Sequence, residues 1–276
     1  MSIQSDKQAI VLEIGSRFVR CGLSEERAPR SVQRWEVAEL VSSHPTVAQC
    51  REYLSSQLRR LFFEILHVNP RHRRFLVCED VTAPRAFRAA LMDVLFTHLK
   101  AASVTVVPSM LTAQFATSFH TSLIIDCGWK ETRVLPVFKG IPLLYMYTSA
   151  SVGAASCCDV LRGELFKQET TTPSIQLEDV LERAVFVQPF QDPIMDAADA
   201  RLHAAGQTHL TIPAHLRGDA TEHLFRDTET HEDSIVSTVV HVIRKLPIDV
   251  RAAMAQNLLV IGGACMLPAR HALLVD

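Results

Sequence analysis

The chain has 276 residues, 48% of them hydrophobic, and a formal net charge of −2. That is enough for one large domain or two medium ones with a real core. It is too little positive charge for nucleic acid or an anionic membrane to be the main partner. No apolar run approaches a membrane span, and the polar residues 1–7 lack a signal peptide's apolar segment. Seven cysteines without CxxC spacing and twelve histidines without HExxH spacing indicate a reduced, cytoplasmic protein with no metal cluster.

Taken in order, residues 9–14 and 18–23 read as two strands about a Gly15-Ser16 turn. A polar connector follows at 25–30. Residues 31–49 carry no strong period and read as a short, loop-like excursion. Residues 51–67 are amphipathic, with Tyr53, Leu54, Leu58, Leu61, Phe62, Ile65 and Leu66 at helical spacing, and Asn69-Pro70 stops them. The basic run Arg71-His72-Arg73-Arg74 reads as a solvated helix-to-strand joint in preference to an anion or partner site. A strand at 75–79 and a helix started by Pro84 follow, with Phe87, Leu91, Val94, Leu95 and Leu99 on one face. A strand at 104–107 and a helix at 110–119 complete this half.

The second half opens like the first. An apolar run at 123–125 ends in Asp126, Gly128 turns the chain, and a return strand occupies 134–138. Helices are expected at 154–166, where Cys157-Cys158 are small packing residues, and at 177–187. Residues 188–220 are mixed and polar, with Pro189, Pro193 and Pro213 as breaks. A helix at 234–246 presents Ile235, Val236, Val239, Val240 and Ile243. Asp249 is expected to cap a helix over 250–256, before a buried strand at 258–261 and a Gly262-Gly263 turn.

An acid ending a buried strand just before a glycine turn is how several ATPase folds meet a phosphate and its magnesium. Glu13 with Gly15 and Asp126 with Gly128 form this pattern once per half. The repetition suggests a duplicated α/β fold with a cleft between its halves.

The element order, together with several motifs, resembles actin over nearly the whole chain. Residues 10–23, including Cys21-Gly22, resemble the family's first phosphate hairpin, with Ala28-Pro29-Arg30 at the family's spacing after it. Glu79, Pro84, Arg88 and Leu95-Phe96 resemble the strand and helix that follow. Residues 126–140 resemble the second phosphate hairpin. Pro247-Ile248-Asp249-Val250-Arg251, Asn257, Gly262-Gly263 and Met266-Leu267-Pro268 resemble the adenosine-side segment.

The resemblance implies an α/β, actin-like (ribonuclease H-like) duplicated fold with two lobes around a nucleotide cleft. Residues 1–120 would form the first lobe, with a shortened filament-gripping subdomain, and 121–276 the second. Family members continue beyond Met266-Leu267-Pro268, so the fold is expected to be incomplete at the C-terminus and less stable alone than a full-length relative. The resemblance also implies ATP or ADP with magnesium as a structural ligand. The residues implied to bind it are Glu13, Gly15, Ser16, Arg20, Asp126, Gly128, Glu182, Gly262 and Gly263. Glu13 and Asp126 would meet magnesium through water.

Departures from the family bear on catalysis. Arg17 replaces a glycine, and Trp129-Lys130 replace Asp-Gly; these side chains either obstruct a phosphate cradle or, for Lys130, add charge toward it. Arg133 stands where actin has a water-placing histidine, and the hydrolytic glutamine maps to Thr112 or Gln114. Leu181 and Leu267 replace adenine-side lysine and tyrosine. Gly262-Gly263 either admits a nucleotide to the backbone or simply makes a tight turn. Ser151-Val152-Gly153 is either a bend near the hinge or a plain loop.

Val68-Asn69-Pro70-Arg71 with Arg73-Arg74, Leu123 with Asp126-Cys127-Gly128, Gly140-Ile141-Pro142, Pro247-Ile248-Asp249 and the short segment 31–49 resemble the actin-related branch at the pointed end of dynactin. That likeness implies a non-catalytic subunit, in the cytoplasm and cytoskeleton, that caps dynactin's actin-like filament and supports dynein-driven transport on microtubules. The implied partners are the filament's actin-like subunits and the pointed-end accessory proteins, with dynein indirectly. The alternatives are an ATP-dependent phosphotransferase or ATPase of the same superfold, disfavoured by Arg17, Trp129 and Arg133, and a polymerising actin, disfavoured by the short 31–49 segment.

Overall fold

In the computed structural model the first hairpin forms from β1 (Ile10–Ile14) and β2 (Phe18–Leu23), paired antiparallel. Residues 8–166, 177–188, 198–202, 210–227 and 234–268 are described. They fall into two units, Met1–Ser118 and Phe119–Asp276. In the first unit β3 (Ser31–Arg34) adds antiparallel to β2. Beyond β1 lie β4 (Arg74–Glu79) and β5 (Ser103–Pro108), both parallel, giving the order β3-β2-β1-β4-β5.

Alternation along β1 buries Ile10, Leu12 and Ile14 on one face and leaves Val11 and Glu13 on the other. The buried face packs with helices α2 (Val47–Arg59) and α3 (Arg85–Asp93), through Leu54, Leu58, Leu91 and the further residues Leu61, Phe62 and Leu95. Both helices run on into wider, π-helical turns, Arg60–Ile65 and Val94–His98, closed by Leu66 N–H to Leu61 O and Leu99 N–H to Val94 O. His67 and Lys100, with positive φ, then turn the chain out of the helix. The expected face of Phe87, Leu91, Val94, Leu95 and Leu99 is buried throughout.

Three expectations for this unit need correction. Residues 31–49 are not a loop: they hold β3, the short helix α1 (Val37–Ser42) and the start of α2. Elements of four and six residues are too short to show a period. The start of α2 is set by a capping box in which Thr46 and Gln49 satisfy one another's backbone amides. Arg73 is not solvated; it is buried and donates from Nε to Asn69 O at 3.0 Å. The helix expected over 110–119 is only α4 (Ser109–Thr112) and one tighter turn, Ala113–Ala116, before Thr117 becomes extended.

The second unit repeats the plan. β6 (Ser122–Cys127) and β7 (Thr132–Phe138) form the hairpin, and β8 (Ile141–Pro142) and β9 (Thr148–Ala150) both pair antiparallel with β7. Then come α5 (Ala154–Leu165), α6 (Leu177–Ala184), the hairpin β10 (Ala200–Leu202) with β11 (Leu210–Ile212), and α7 (Ala214–Glu222). Last are α8 (Ile235–Lys245), α9 (Ile248–Gln256) and β12 (Leu258–Ile261), which lies parallel beside β6 as β4 lies beside β1. The core joins Leu123, Ile125 and Val134 of the sheet to Cys157, Leu161, Val180, Leu181, Leu216 and Val242.

Here too the structure corrects details. Within 188–220 it places β10, β11 and α7, whose low amphipathicity hid it although Leu216 and Ala220 are buried; Pro189 and Pro193 lie outside the described residues. Helix α8 buries Ile235, Thr238 and Val242, while Val236 is 45% exposed. Thr238 can turn inward because its hydroxyl donates to Ser234 O at 2.8 Å, so a polar residue sits on the apolar face. Asp249 lies in the first turn of α9, after Pro247 at the cap, where its charge suits the helix dipole. β12 is a half-exposed edge strand, unlike β4, which β5 covers.

Candidate functional site

The two hairpins carry the same constellation. In the first, Glu13 lies directly across the ladder from Arg20, and Arg20 Nη1 donates to Glu13 Oε1 at 3.1 Å. In the second, Asp126 lies across from Arg133, and Arg133 Nη1 donates to Asp126 Oδ2 at 3.4 Å. Two residues after each acid a glycine N–H closes the turn, Gly15 to Phe18 O and Gly128 to Glu131 O, each at 3.0 Å. A Cβ would sit 2.9 Å from the Phe18 oxygen at Gly15 and 3.0 Å from the Glu131 oxygen at Gly128. So acid, glycine and arginine recur at i, i+2 and i+7, once in each unit.

The surroundings differ. The Glu13–Arg20 pair is about 40% exposed on both sides. Ser16 and Arg17 accept backbone bonds from Ala38 and Trp35, and the buried Arg17 guanidinium donates to Glu36 at 2.9 Å and Glu39 at 3.5 Å. Its charge is taken up by carboxylates at the start of α1.

The Asp126–Arg133 pair is more enclosed, at 15% and 14% exposure. Arg133 is also clamped by Glu131, through Nε at 3.0 Å and Nη2 at 2.8 Å. The first amides of α5, Ala154 and Ala155, bond the Gly128 and Trp129 carbonyls. Gly153 permits this approach, since a Cβ there would lie 2.5 Å from the Trp129 oxygen. Ser151-Val152-Gly153 is therefore a packed junction. Trp129 packs on the core of its unit and Lys130 is exposed.

The Gly262-Gly263 turn divides its roles. β12 is in register with β6 through Ile261 and Asp126, so Gly262 falls against the end of β6. It has φ 100° and ψ 166°, and a Cβ would lie 2.3 Å from Cys127 O and 2.7 Å from Asp126 Oδ1. Only glycine fits there. A Cβ on Gly263 would meet nothing within 4 Å, so its backbone is open to approach. Asp126, Gly128, Arg133, Gly262 and Gly263 thus share one end of one sheet. Glu13, Gly15, Ser16 and Arg20 share the matching end of the other unit's hairpin. Glu182 is exposed on α6, whereas its neighbour Leu181 and Leu267 are buried in the core.

Burial and neighbours shift several groups. The buried Glu79 carboxyl is pushed up by desolvation, although Arg88 Nε pairs with it at 2.7 Å. The Cys127 thiol is pushed up by its hydrogen bond with Cys265 and by burial, and the same bond lowers Cys265. Among the described residues no group of three or more His, Cys, Asp or Glu is placed to hold a metal ion. No helix among them is long and apolar enough to cross a membrane.

The Gly263 backbone is open to the approach of an anion, while the charge of each arginine is taken up by carboxylates beside it. Each acid expected to face the metal has an arginine opposite, which offsets its charge. A water-mediated contact from such an acid remains compatible with the way magnesium keeps its hydration shell.

A model of the actin family matches residues 47–199, more than half of the chain. The chain belongs to the actin family. It is also 23% identical to actin-related protein 10 of Dictyostelium discoideum, over 95% of this chain and 71% of that protein. The actin fold generally binds nucleotide with magnesium, and the acid-ended hairpins of this actin-family chain are where its sequence resembles the phosphate loops. The arginine pairs were the main feature sequence reasoning missed. Arg20 and Arg133 had been singled out separately, and their identical offset from the two acids was the available signal.

Proposed function

We propose that this protein is a non-catalytic actin-related subunit of dynactin. It caps the pointed end of the complex's actin-like filament, contacts the filament's actin-like subunits and pointed-end accessory proteins, and thereby supports dynein-driven transport in the cytoplasm. The resemblance to actin-related protein 10 over almost the whole chain supports the actin-related assignment. The observation that carries the non-catalytic reading is Arg133. Hydrolysis requires a water placed and activated beside the phosphate. Here the residue opposite Asp126 is a guanidinium, which cannot take up a proton and which is held between Asp126 and Glu131.

On this reading ATP or ADP is a structural ligand. The residues proposed to serve it are Glu13, Gly15, Ser16, Arg20, Asp126, Gly128, Gly262 and Gly263, with Glu182 toward the adenine. Magnesium accompanying the nucleotide would supply countercharge to the phosphates, and Glu13 and Asp126 are the acids that would meet it through water.

An affinity pull-down of the tagged chain from cytosol, with mass spectrometry of the bound proteins, tests the assembly. Recovery of dynactin's filament and pointed-end subunits is expected; recovery of chaperones alone counts against assembly by this chain. Nucleotide chemistry is tested separately. The chain is expected to retain bound nucleotide without turning it over, and ATP turnover stimulated by a small-molecule acceptor would support the phosphotransferase reading instead.

A further inference from the structure

None of the seven cysteines is in a disulfide, and two of them meet. Cys127 ends β6 and is 4% exposed; Cys265 lies in the helical turn Gly263–Met266 that follows β12. Because β6 and β12 are parallel and in register through Asp126 and Ile261, both chains leave the sheet at the same level. Gly262 then turns tightly over the Cys127 carbonyl, and the next residues fold back. Cys265 Sγ donates to Ile261 O at 3.1 Å, and Ile261 is the ladder partner of Asp126, the residue next to Cys127; this brings the Cys265 sulfur beside Cys127, where the two thiols perturb one another. Cys265 is only half-buried, so solvent reaches it, whereas Cys157 and Cys158 are both enclosed in α5.

We propose that Cys127 and Cys265 form an oxidisable pair that closes to an intramolecular disulfide, stapling the Gly262-Gly263 turn to the end of β6. The oxidant is a peroxide. The accessible Cys265 sulfur attacks one peroxide oxygen; the O–O bond breaks, one water leaves, and Cys265 becomes a sulfenic acid. The Cys127 sulfur then attacks the Cys265 sulfur. The S–S bond forms, the S–O bond breaks, and the departing hydroxide takes the Cys127 proton as a second water. Two thiols lose two electrons and the peroxide gains them. In a reducing cytoplasm such a bond is transient and signals oxidant. It joins residues far apart in sequence, so it restricts the unfolded chain and raises stability.

The test treats the full chain with hydrogen peroxide, alkylates it and digests it without reduction. The expected product is a linked Cys127–Cys265 peptide pair, lighter by two hydrogens than the separate thiol peptides. A melting temperature raised by several degrees, and restored by reductant, is expected with it. The link should survive C157S and vanish in C265S. The proposal is overturned when Cys127 and Cys265 both stay alkylatable. It is equally overturned when Cys265 passes to sulfinic acid with no link, or when the link forms only in the urea-unfolded chain. Since the linkage is read on the wild-type chain, a variant that fails to fold does not decide the result.

Discussion

Adjacent glycines at the end of β12 should respond oppositely to the same substitution. Gly262→Ala places a Cβ on a residue at φ 100°, ψ 166°, a region nearly reserved for glycine, which costs about 1–3 kcal/mol. The new carbon would also lie 2.3 Å from Cys127 O and 2.7 Å from Asp126 Oδ1. Neither neighbour is a flexible side-chain tip, since one is backbone and the other a short carboxylate paired with Arg133. Relieving that overlap adds about 1–3 kcal/mol, so a total near ~4 kcal/mol is expected.

Gly263→Ala meets nothing within 4 Å and sits at the start of a helical turn. It should be neutral or stabilise by about 0.4–1 kcal/mol through the unfolded state. Urea unfolding of both variants, compared at equal m-values, measures the difference. Equal midpoints, or a Gly262→Ala loss below about 1 kcal/mol, would refute the packing of Gly262 against Asp126 and Cys127. Because Gly263→Ala leaves the fold intact, the same protein tests its open backbone: nucleotide affinity should fall without loss of stability.

Other variants probe the hairpins and the buried acid. Arg133→Met removes the guanidinium shared by Asp126 and Glu131 and should destabilise by about 2–3 kcal/mol; thermal or urea unfolding reads this, and a change under about 0.5 kcal/mol would refute the clamp. Arg20→Met, in the half-exposed counterpart, should cost less than about 1 kcal/mol in the same assay. Burial raises the Glu79 carboxyl above its ordinary 4.5. The neutral form is therefore favoured on folding, and the wild type's stability relative to Glu79→Gln is greatest below pH 4.5 and is lost as pH rises through the raised value. Urea midpoints of the two proteins on either side of that window should move in favour of Glu79→Gln at the higher pH. Gly153→Ala should destabilise by about 1–3 kcal/mol, because its Cβ would strike the Trp129 carbonyl at 2.5 Å; a melt unchanged from wild type would show that the junction yields.

Much of the fold was legible because its signals are local. Strand alternation, the glycine after each acid and the apolar faces of α2 and α3 are set by neighbours within a few residues, and they placed both hairpins and most helices. Their order carried the resemblance that the actin-family match shows. Short or weakly amphipathic elements were not legible: α1 and β3 are too brief to show a period, and α7 has little apolar face to read.

By itself the sequence determined an α/β chain with a repeated, acid-ended hairpin and the residue types at each turn. Only the tertiary structure decided what those residues face. Ladder register set Arg20 opposite Glu13 and Arg133 opposite Asp126, giving each acid a guanidinium partner. Parallel pairing of β12 with β6 carried Gly262 onto Asp126 and brought Cys265 to Cys127. Burial decided that Arg73 is anchored and that Thr238 faces inward, and strand order left β12 at an edge. These contacts join residues remote in the chain, and their energies depend on register and solvent exclusion, which arise only when the sheets assemble.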